Sequence, residues 1–244
     1  MHQRYQTQAG WTASIRARLY ELAGILRSNR VLEIGSGTGV IIEAISSTYG
    51  ARTYGIDIDP IVTRFARSHD RRTDYSVGDG HVLPFANARF DLTLCHFLFM
   101  WVSDPTRMLS EMVRVTKPSG WVMALAEPDY GGRIDYPAEL AKLGKHQTEA
   151  LKSQGSDPLM GRKLRALFSQ SGLEDVRVGI LGGEWGATYE GEWESEWQTL
   201  TQDLIQCHTS TELDAFRELE RQAWHDGIRI LYVPTFYACG RVKS

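Results

Sequence analysis

The residues best suited to do chemistry are acids set beside glycines. Val31-Leu32-Glu33-Ile34 runs directly into Gly35-Ser36-Gly37-Thr38-Gly39; Gly55-Ile56 precedes Asp57; Gly78-Asp79-Gly80-His81 repeats the arrangement. Glycine adopts backbone angles closed to other residues and lets a ligand approach the main chain closely. The spacing is G-x-G-x-G. It is neither the G-x-G-x-x-G of a dinucleotide site nor a phosphate loop, because no Lys-Ser/Thr follows. Glu33, two residues before the first glycine, opposes a pyrophosphate and suits an ammonium, directly or through water. Asp57 can accept from both hydroxyls of a ribose. Asp79 can accept from an adenine amino group while the adjacent main-chain N–H donates to the ring.

These residues need strand ends to hold them together, and the hydropathy pattern supplies strands. Residues 30–34, 53–58, 74–77, 90–95 and 121–126 are short apolar runs that read as buried strands. Between them lie helical patterns at 40–48, at 60–68 opened by Pro60, and at 105–115 capped by Asp104. Asp59, just before Pro60, reads as a helix cap. Strands alternating with helices imply right-handed crossovers and a parallel, doubly wound sheet. In such sheets the ligand sits at the carboxyl ends of the strands, where the glycine turn and Asp57 both fall. A further helix is expected over 11–28, and others over 136–153, 161–169, 191–206 and 210–226. Strands are expected at 175–180 and 231–241. A ligand with an amino group, a ribose and an adenine, but no phosphates, matches the inventory of S-adenosylmethionine (SAM).

Composition narrows the function classes. The chain has 244 residues, 42% hydrophobic and 23% charged, with a formal net charge of -3. That is ordinary globular material for one α/β domain with an elaboration. No basic stripe supports binding to a nucleic-acid backbone, so no nucleic acid is expected as a partner. Cys95, Cys207 and Cys239 are odd in number, far apart and without C-x-x-C spacing, which argues against a disulfide framework or a metal site. The N-terminal stretch is polar and lacks a signal-like apolar region, and no run is long enough to span a membrane. The expectation is a cytoplasmic protein, monomer or homodimer, without a membrane span.

Residues 31–126 resemble the class I SAM-dependent methyltransferases, particularly the small-molecule branch near the ubiquinone/menaquinone-biosynthesis type. VLEIGSGTG resembles that family's first motif and GIDID its acidic second motif. GDGHVLPF resembles the adenine-contacting segment. FDLTLCHFLFMWVSDPTRMLSEMVRVTKPSGWV resembles the fourth strand with the loop, helix and strand that follow. The resemblance covers about two-fifths of the chain and implies a Rossmann-like, mostly parallel sheet with helices on both faces and an added helical cover. It implies SAM as cofactor and S-adenosylhomocysteine as product. Glu33, Gly35, Ser36, Gly37, Thr38 and Gly39 would surround the methionine part, and Asp57 the ribose, with Ile58 packing on the adenine. Asp79, Gly80 and His81 would meet the adenine edge, and Cys95 and His96 would lie near the sulfonium. Many relatives carry histidines where this chain has Met100-Trp101, which points to a more apolar acceptor pocket or to a packing change.

The expected layout is one domain: an N-terminal helical lid over 1–28, a cofactor-binding core over 29–131, a cover over 132–170 and 184–226, and the last strand at 231–241. Arg4, Tyr5, Gln8 and Trp11 belong to a segment that either folds over the cofactor, with Tyr5 or Trp11 closing the site, or is a loose tail. His96 is a candidate general base or a hydrogen-bonded wall; Cys95 reads as a small buried residue. Tyr130 and Asp129 could orient an acceptor, or belong to a polar loop running from Glu127 to Gly132. Trp185, Trp193, Trp197, Trp224 and Tyr232 could line an apolar pocket or pack the cover. His146, His208 and His225 read as surface residues of that cover. The function expected is methyl transfer by direct displacement to a small acceptor, apolar or aromatic. Two alternatives are a methyltransferase acting on a protein or nucleic acid, and a non-methylating protein that binds SAM or S-adenosylhomocysteine. The first would be favoured by an Asn/Asp-Pro-Pro-aromatic signature after the fourth strand, where this chain has Cys-His-Phe-Leu. A nicotinamide dehydrogenase is opposed by the glycine spacing.

Overall fold

The computed structural model describes residues 2–28, 30–182, 193–204 and 209–244. At its centre are five parallel strands, β1 (Arg30–Ile34), β2 (Arg52–Asp57), β3 (Asp74–Val77), β4 (Phe90–Cys95) and β5 (Thr116–Pro128), extended by antiparallel β9 (Thr235–Arg241) and β7 (Glu174–Leu181). The sheet order is β3-β2-β1-β4-β5-β9-β7. The order reverses between β1 and β4, which places the ligand crevice of a doubly wound sheet over the end of β1. The strands alternate as a sheet buried on both faces requires. Leu32, Ile34, Ile56, Val122 and Ala124 join one core with α5 (Pro105–Val115) and α7 (Met160–Gln170). Val31, Leu92, Leu94, Met123 and Leu125 join the other with α2 (Ala13–Ala23) and α3 (Val40–Tyr49). α4 (Pro60–His69) packs beside β2 and β3.

Local chemistry sets the helix starts. Asp59 accepts from Ile61 N (2.7 Å) and Asp104 from Arg107 N (3.0 Å), each just ahead of a proline at the first helical position. At the N-terminus the structure differs from a single helix over 11–28. α1 (His2–Trp11) breaks at Thr12, and α2 ends at Gly24, whose φ of 66° is the left-handed conformation that closes helices.

The cover also differs from expectation. Residues 160–170 are not part of it: Leu164 and Phe168 of α7 are fully buried against the main sheet. What remains comprises α6 (Ala141–Ser153), α8 (Trp193–Leu204) and α9 (Ser210–His225), with a small core of Leu140, Leu143, Trp197, Leu200, Leu204 and Leu213. The expected last strand at 231–241 is two. β8 (Ile230–Tyr232) pairs with β6 (Ile134–Tyr136) in a separate small sheet, and the chain re-enters the main sheet after Pro234, which has no N–H to give a ladder. Among the described residues no helix is long and apolar enough to cross a membrane. Cys95 and Cys239 are buried and unbridged; Cys207 lies outside the described residues.

Candidate functional site

The glycine turn is built by φ values that a side chain resists: 68° at Gly35, 51° at Gly37 and 89° at Gly39. Gly35 N and Ser36 N both donate to Ile56 O (2.8 and 3.1 Å), which ties the turn to the end of β2. Asp57 closes the same junction, accepting from Gly37 N (2.7 Å) at one carboxylate oxygen and from Asp59 N (2.9 Å) at the other. Each oxygen keeps a lone pair for a further donor. Ser36 Oγ is buried without a partner, an orphan that a ligand would satisfy.

Glu33 points from β1 into this region and is almost wholly buried. It accepts from Ile42 N (3.1 Å). Burial pushes its carboxyl well above the usual range, against the opposing pull of the Arg16 guanidinium and the Ile42 amide. Arg16 comes from α2, donating to Thr12 Oγ1 (3.0 Å) and Ala9 O (2.6 Å). Thr12 Oγ1 in turn lies 2.9 Å from His96 Nε2. Burial, helped by the positive charge of Arg16, lowers the His96 imidazole to about 3, so it is neutral at physiological pH.

These groups line one cavity of about 790 Å³, within the range of roughly 300–1,000 Å³ usual for small-ligand sites. Glu33, Gly35, Ser36, Gly37 and Asp57 form one part of its wall, with Tyr5 of α1 folded over it. His96 and Tyr130 also line the cavity. Trp11, Trp101, Trp197, Trp224 and Tyr232 supply aromatic walls. Residues 2–8 are thus part of α1, and Arg4, Tyr5, Thr7 and Gln8 line the cavity in place of a loose tail. Tyr5 packs so close to Gly37 that a Cβ there would sit 3.0 Å from its ring.

The structure does not bring every expected residue to the cavity. Cys95 is completely buried, with its thiol pushed up by burial, and cannot touch a ligand in this conformation. Thr38 is turned to the lid, 3.0 Å from His2 Nδ1, and Gly39 serves as the N-cap of α3. Ile58 is 71% exposed beside the site, free to take an aromatic ring. Asp79, Gly80 and His81 do not line the cavity, and Asp79 and His81 bind each other: Asp79 Oδ1 accepts from His81 N (2.9 Å) and lies 2.7 Å from His81 Nδ1. These bonds hold the Asp79 carboxyl below its usual range. Gly80 packs against Ile34 and Met108. Trp193 lies under Arg217, 5.5 Å from its ring centroid, instead of in the cavity wall. Trp185 and His208 lie outside the described residues.

Several residues in or around the cavity take places that the sequence reading did not give them. Glu127, expected in a polar loop, is fully buried at the end of β5. Asp129 is paired with Arg162. Arg133 and Glu220, which line the cavity, share one ion-pair network: Arg133 holds Asp135 with two bonds (2.7 and 3.0 Å), and buried Arg229 bridges Asp135 and Glu220. Gln147 Nε2 donates to Asp203 (3.0 Å). No motif marks these residues, because they come together only when β6, α6, α8 and α9 fold over the sheet.

Comparison with known proteins agrees with this architecture. Residues 32–124 match a family model described as a methyltransferase domain. The chain is 29% identical over 124 residues to a demethylmenaquinone methyltransferase of Renibacterium salmoninarum, covering 50% of this chain and 52% of that one. It is 27% identical over 177 residues to a ubiquinone biosynthesis O-methyltransferase of Thiobacillus denitrificans, covering 59% and 76%. The chain thus spans about half the length of the first of these relatives. Among solved structures, the phosphoethanolamine N-methyltransferase 2 of Haemonchus contortus in complex with SAM superposes with a TM-score of 0.58 at 16% identity. That match covers 88% of this chain and 49% of that one, and shows a shared fold.

Proposed function

We infer that this chain, which carries a class I SAM-dependent methyltransferase domain akin to those of quinone biosynthesis, moves a methyl group from SAM to a small apolar or aromatic acceptor. The observation that carries the reading is the cavity itself. The same cavity is lined by a glycine turn with the acids Glu33 and Asp57 and the unpartnered Ser36 hydroxyl, and by Trp11, Trp101, Trp197, Trp224 and Tyr232. Its aromatic lining, with the net charge of -3, favours a small acceptor over a protein or nucleic acid.

Glu33 and the turn Gly35–Gly39 would hold the amino-acid part of the cofactor, Asp57 the ribose hydroxyls, and Ile58 the adenine face, with Asp79, Gly80 and His81 at the adenine rim. When bound, the cofactor supplies an electrophilic methyl carbon on a sulfonium, so the protein needs chiefly to align the acceptor and exclude water. Tyr5 and Trp11 of the lid, with Trp197 and Trp224 of the cover, do the excluding. His96 orients the acceptor and does not act as a strong base. An imidazole near 3 lies some seven units below a phenol, so taking that proton outright would cost about 10 kcal/mol. When His96 Nε2–H and Arg16 Nε both donate to Thr12 Oγ1, and Thr12 donates to Ala9 O, every donor is satisfied. His96 Nδ1 then remains as a hydrogen-bond acceptor for an acceptor hydroxyl, in a cavity that Tyr130 also lines.

Calorimetric titration with SAM and S-adenosylhomocysteine tests this. Micromolar binding is expected, weakened about 100-fold or more by Asp57→Ala, since two hydrogen bonds to a charged group are lost at about 1.5–3 kcal/mol each. Purified, ligand-free protein that binds neither compound would refute the reading. Acceptors are then screened starting from phenols and quinone-like compounds.

A further inference from the structure

Glu127 is an ionisable side chain with no exposure at all, and the site described so far makes no use of it. Its Oε1 accepts from Leu98 N and Phe99 N (2.8 Å each) and its Oε2 from Met100 N (3.2 Å). Among the described residues no side-chain cation takes part: its carboxyl is influenced by burial and these three amides. The amides open the helical turn Phe99–Trp101, where backbone donors have no partner of their own. One residue upstream, Phe97 has a φ of 52°, a left-handed conformation costly for a β-carbon residue, and its N–H is fixed to Ala126 O (2.9 Å). The same loop supplies His96, Phe97, Leu98, Met100 and Trp101 to the cavity wall. The end of β5 thus grips, over two consecutive residues, a segment that forms part of the cavity wall.

We propose that Glu127 is a positioning residue whose carboxylate fixes the loop after β4, and with it His96, in the geometry that receives the ligand. All three of its partners are donors, so the ionised form satisfies them all, whereas the protonated form accepts more weakly and carries a hydrogen for which none of the three is an acceptor. Burial moves this carboxyl up to about 7, so the loop loosens as pH falls through neutrality. The groups facing it are few. Cys95 of β4 has its own thiol pushed up partly by the Glu127 charge. From α7, Gly161 approaches the Glu127 carbonyl, and neighbouring Arg162 is held by Asp129. β9 presents Phe236 opposite.

The test uses S-adenosylhomocysteine as probe, and in that choice rests on the cofactor reading above. Its affinity for the whole chain is measured by calorimetry from pH 8.5 to 5.5, beside Glu127→Gln and Glu127→Asp. The wild type should lose up to about 30-fold in affinity across that range, the ratio set by one ionisation near 7. Glu127→Gln should bind weakly with a flat profile, and Glu127→Asp weakly with the pH dependence kept. A flat wild-type profile, or a glutamine variant with wild-type affinity and slope, overturns the proposal and leaves the cofactor reading standing. If the wild type binds no probe at any pH, the cofactor reading fails. Amide exchange at Leu98, Phe99 and Met100 then decides the positioning role alone: faster exchange in Glu127→Gln supports it, unchanged exchange overturns it. If Glu127→Gln does not fold, the wild-type profile and the Glu127→Asp comparison carry the decision.

Discussion

His96 gives a pH dependence of stability whose sign and size follow from its surroundings. Its imidazole titrates near 3 in the folded chain and near 6.5 when unfolded. The folded state therefore disfavours the extra proton. The stability at stake is fully present above pH 6.5 and is lost as pH falls from there toward 3. One proton taken up only by the unfolded chain gives a slope of about 1.4 kcal/mol per pH unit, which amounts to about 2 kcal/mol between pH 7 and pH 5. That is an upper figure, because the remaining surface of His96 faces the cavity, where water would screen part of the effect. Glu127 works in the opposite sense. Its raised carboxyl favours the folded state as pH falls from about 7 toward 4.5, so the two effects offset each other in the wild type and the raw profile would look shallow. The difference between wild type and His96→Gln removes the Glu127 contribution. Urea unfolding at pH 7, 6 and 5 should show the wild type losing about 2 kcal/mol relative to the variant. A difference constant to within about 0.5 kcal/mol, the usual spread for independent sites, would refute the picture of a neutral histidine enclosed beside Arg16.

Gly39→Ala should destabilise the fold by about 3 kcal/mol or more in urea unfolding. The new Cβ would lie 2.2 Å from Tyr75 Oη at a φ of 89°, adding overpacking to left-handed strain and threatening the buried Tyr75–Asp70 hydrogen bond; a loss below about 1 kcal/mol would show that Tyr75 yields freely. Arg229→Met should cost about 3–5 kcal/mol, because it leaves Glu220 buried without its cation. Adding Glu220→Gln should recover part of that loss, and additivity of the two changes would exclude the pairing.

The part of the site proposed to hold the cofactor was legible because its chemistry is local. Three glycines needing positive φ, an acid two residues ahead of them and an acid at the next strand end are separated by one βαβ unit, so sequence spacing alone places them together. The cap at Asp59 and the cap at Asp104 were legible for the same reason. Cys95 shows the limit of carrying a role over by position. It follows the right motif, yet strand alternation turns its side chain into the core while His96, one residue on, meets the cavity.

The sequence by itself determined the sheet, its helices and the turn that would hold a SAM-like ligand, because each depends on periodicity or on backbone angles that a few adjacent residues impose. Tertiary structure alone decided the rest of the pocket. Glu127 looks like a loop acid and becomes a buried clamp because β5 runs on to Pro128 and meets the loop after β4. Arg133, Asp135, Glu220 and Arg229 are ordinary charged residues along the chain, up to 94 positions apart for the Asp135–Arg229 bond. They form a buried network only when β6 and β8 pair, since an unpaired charge could not be taken out of water there.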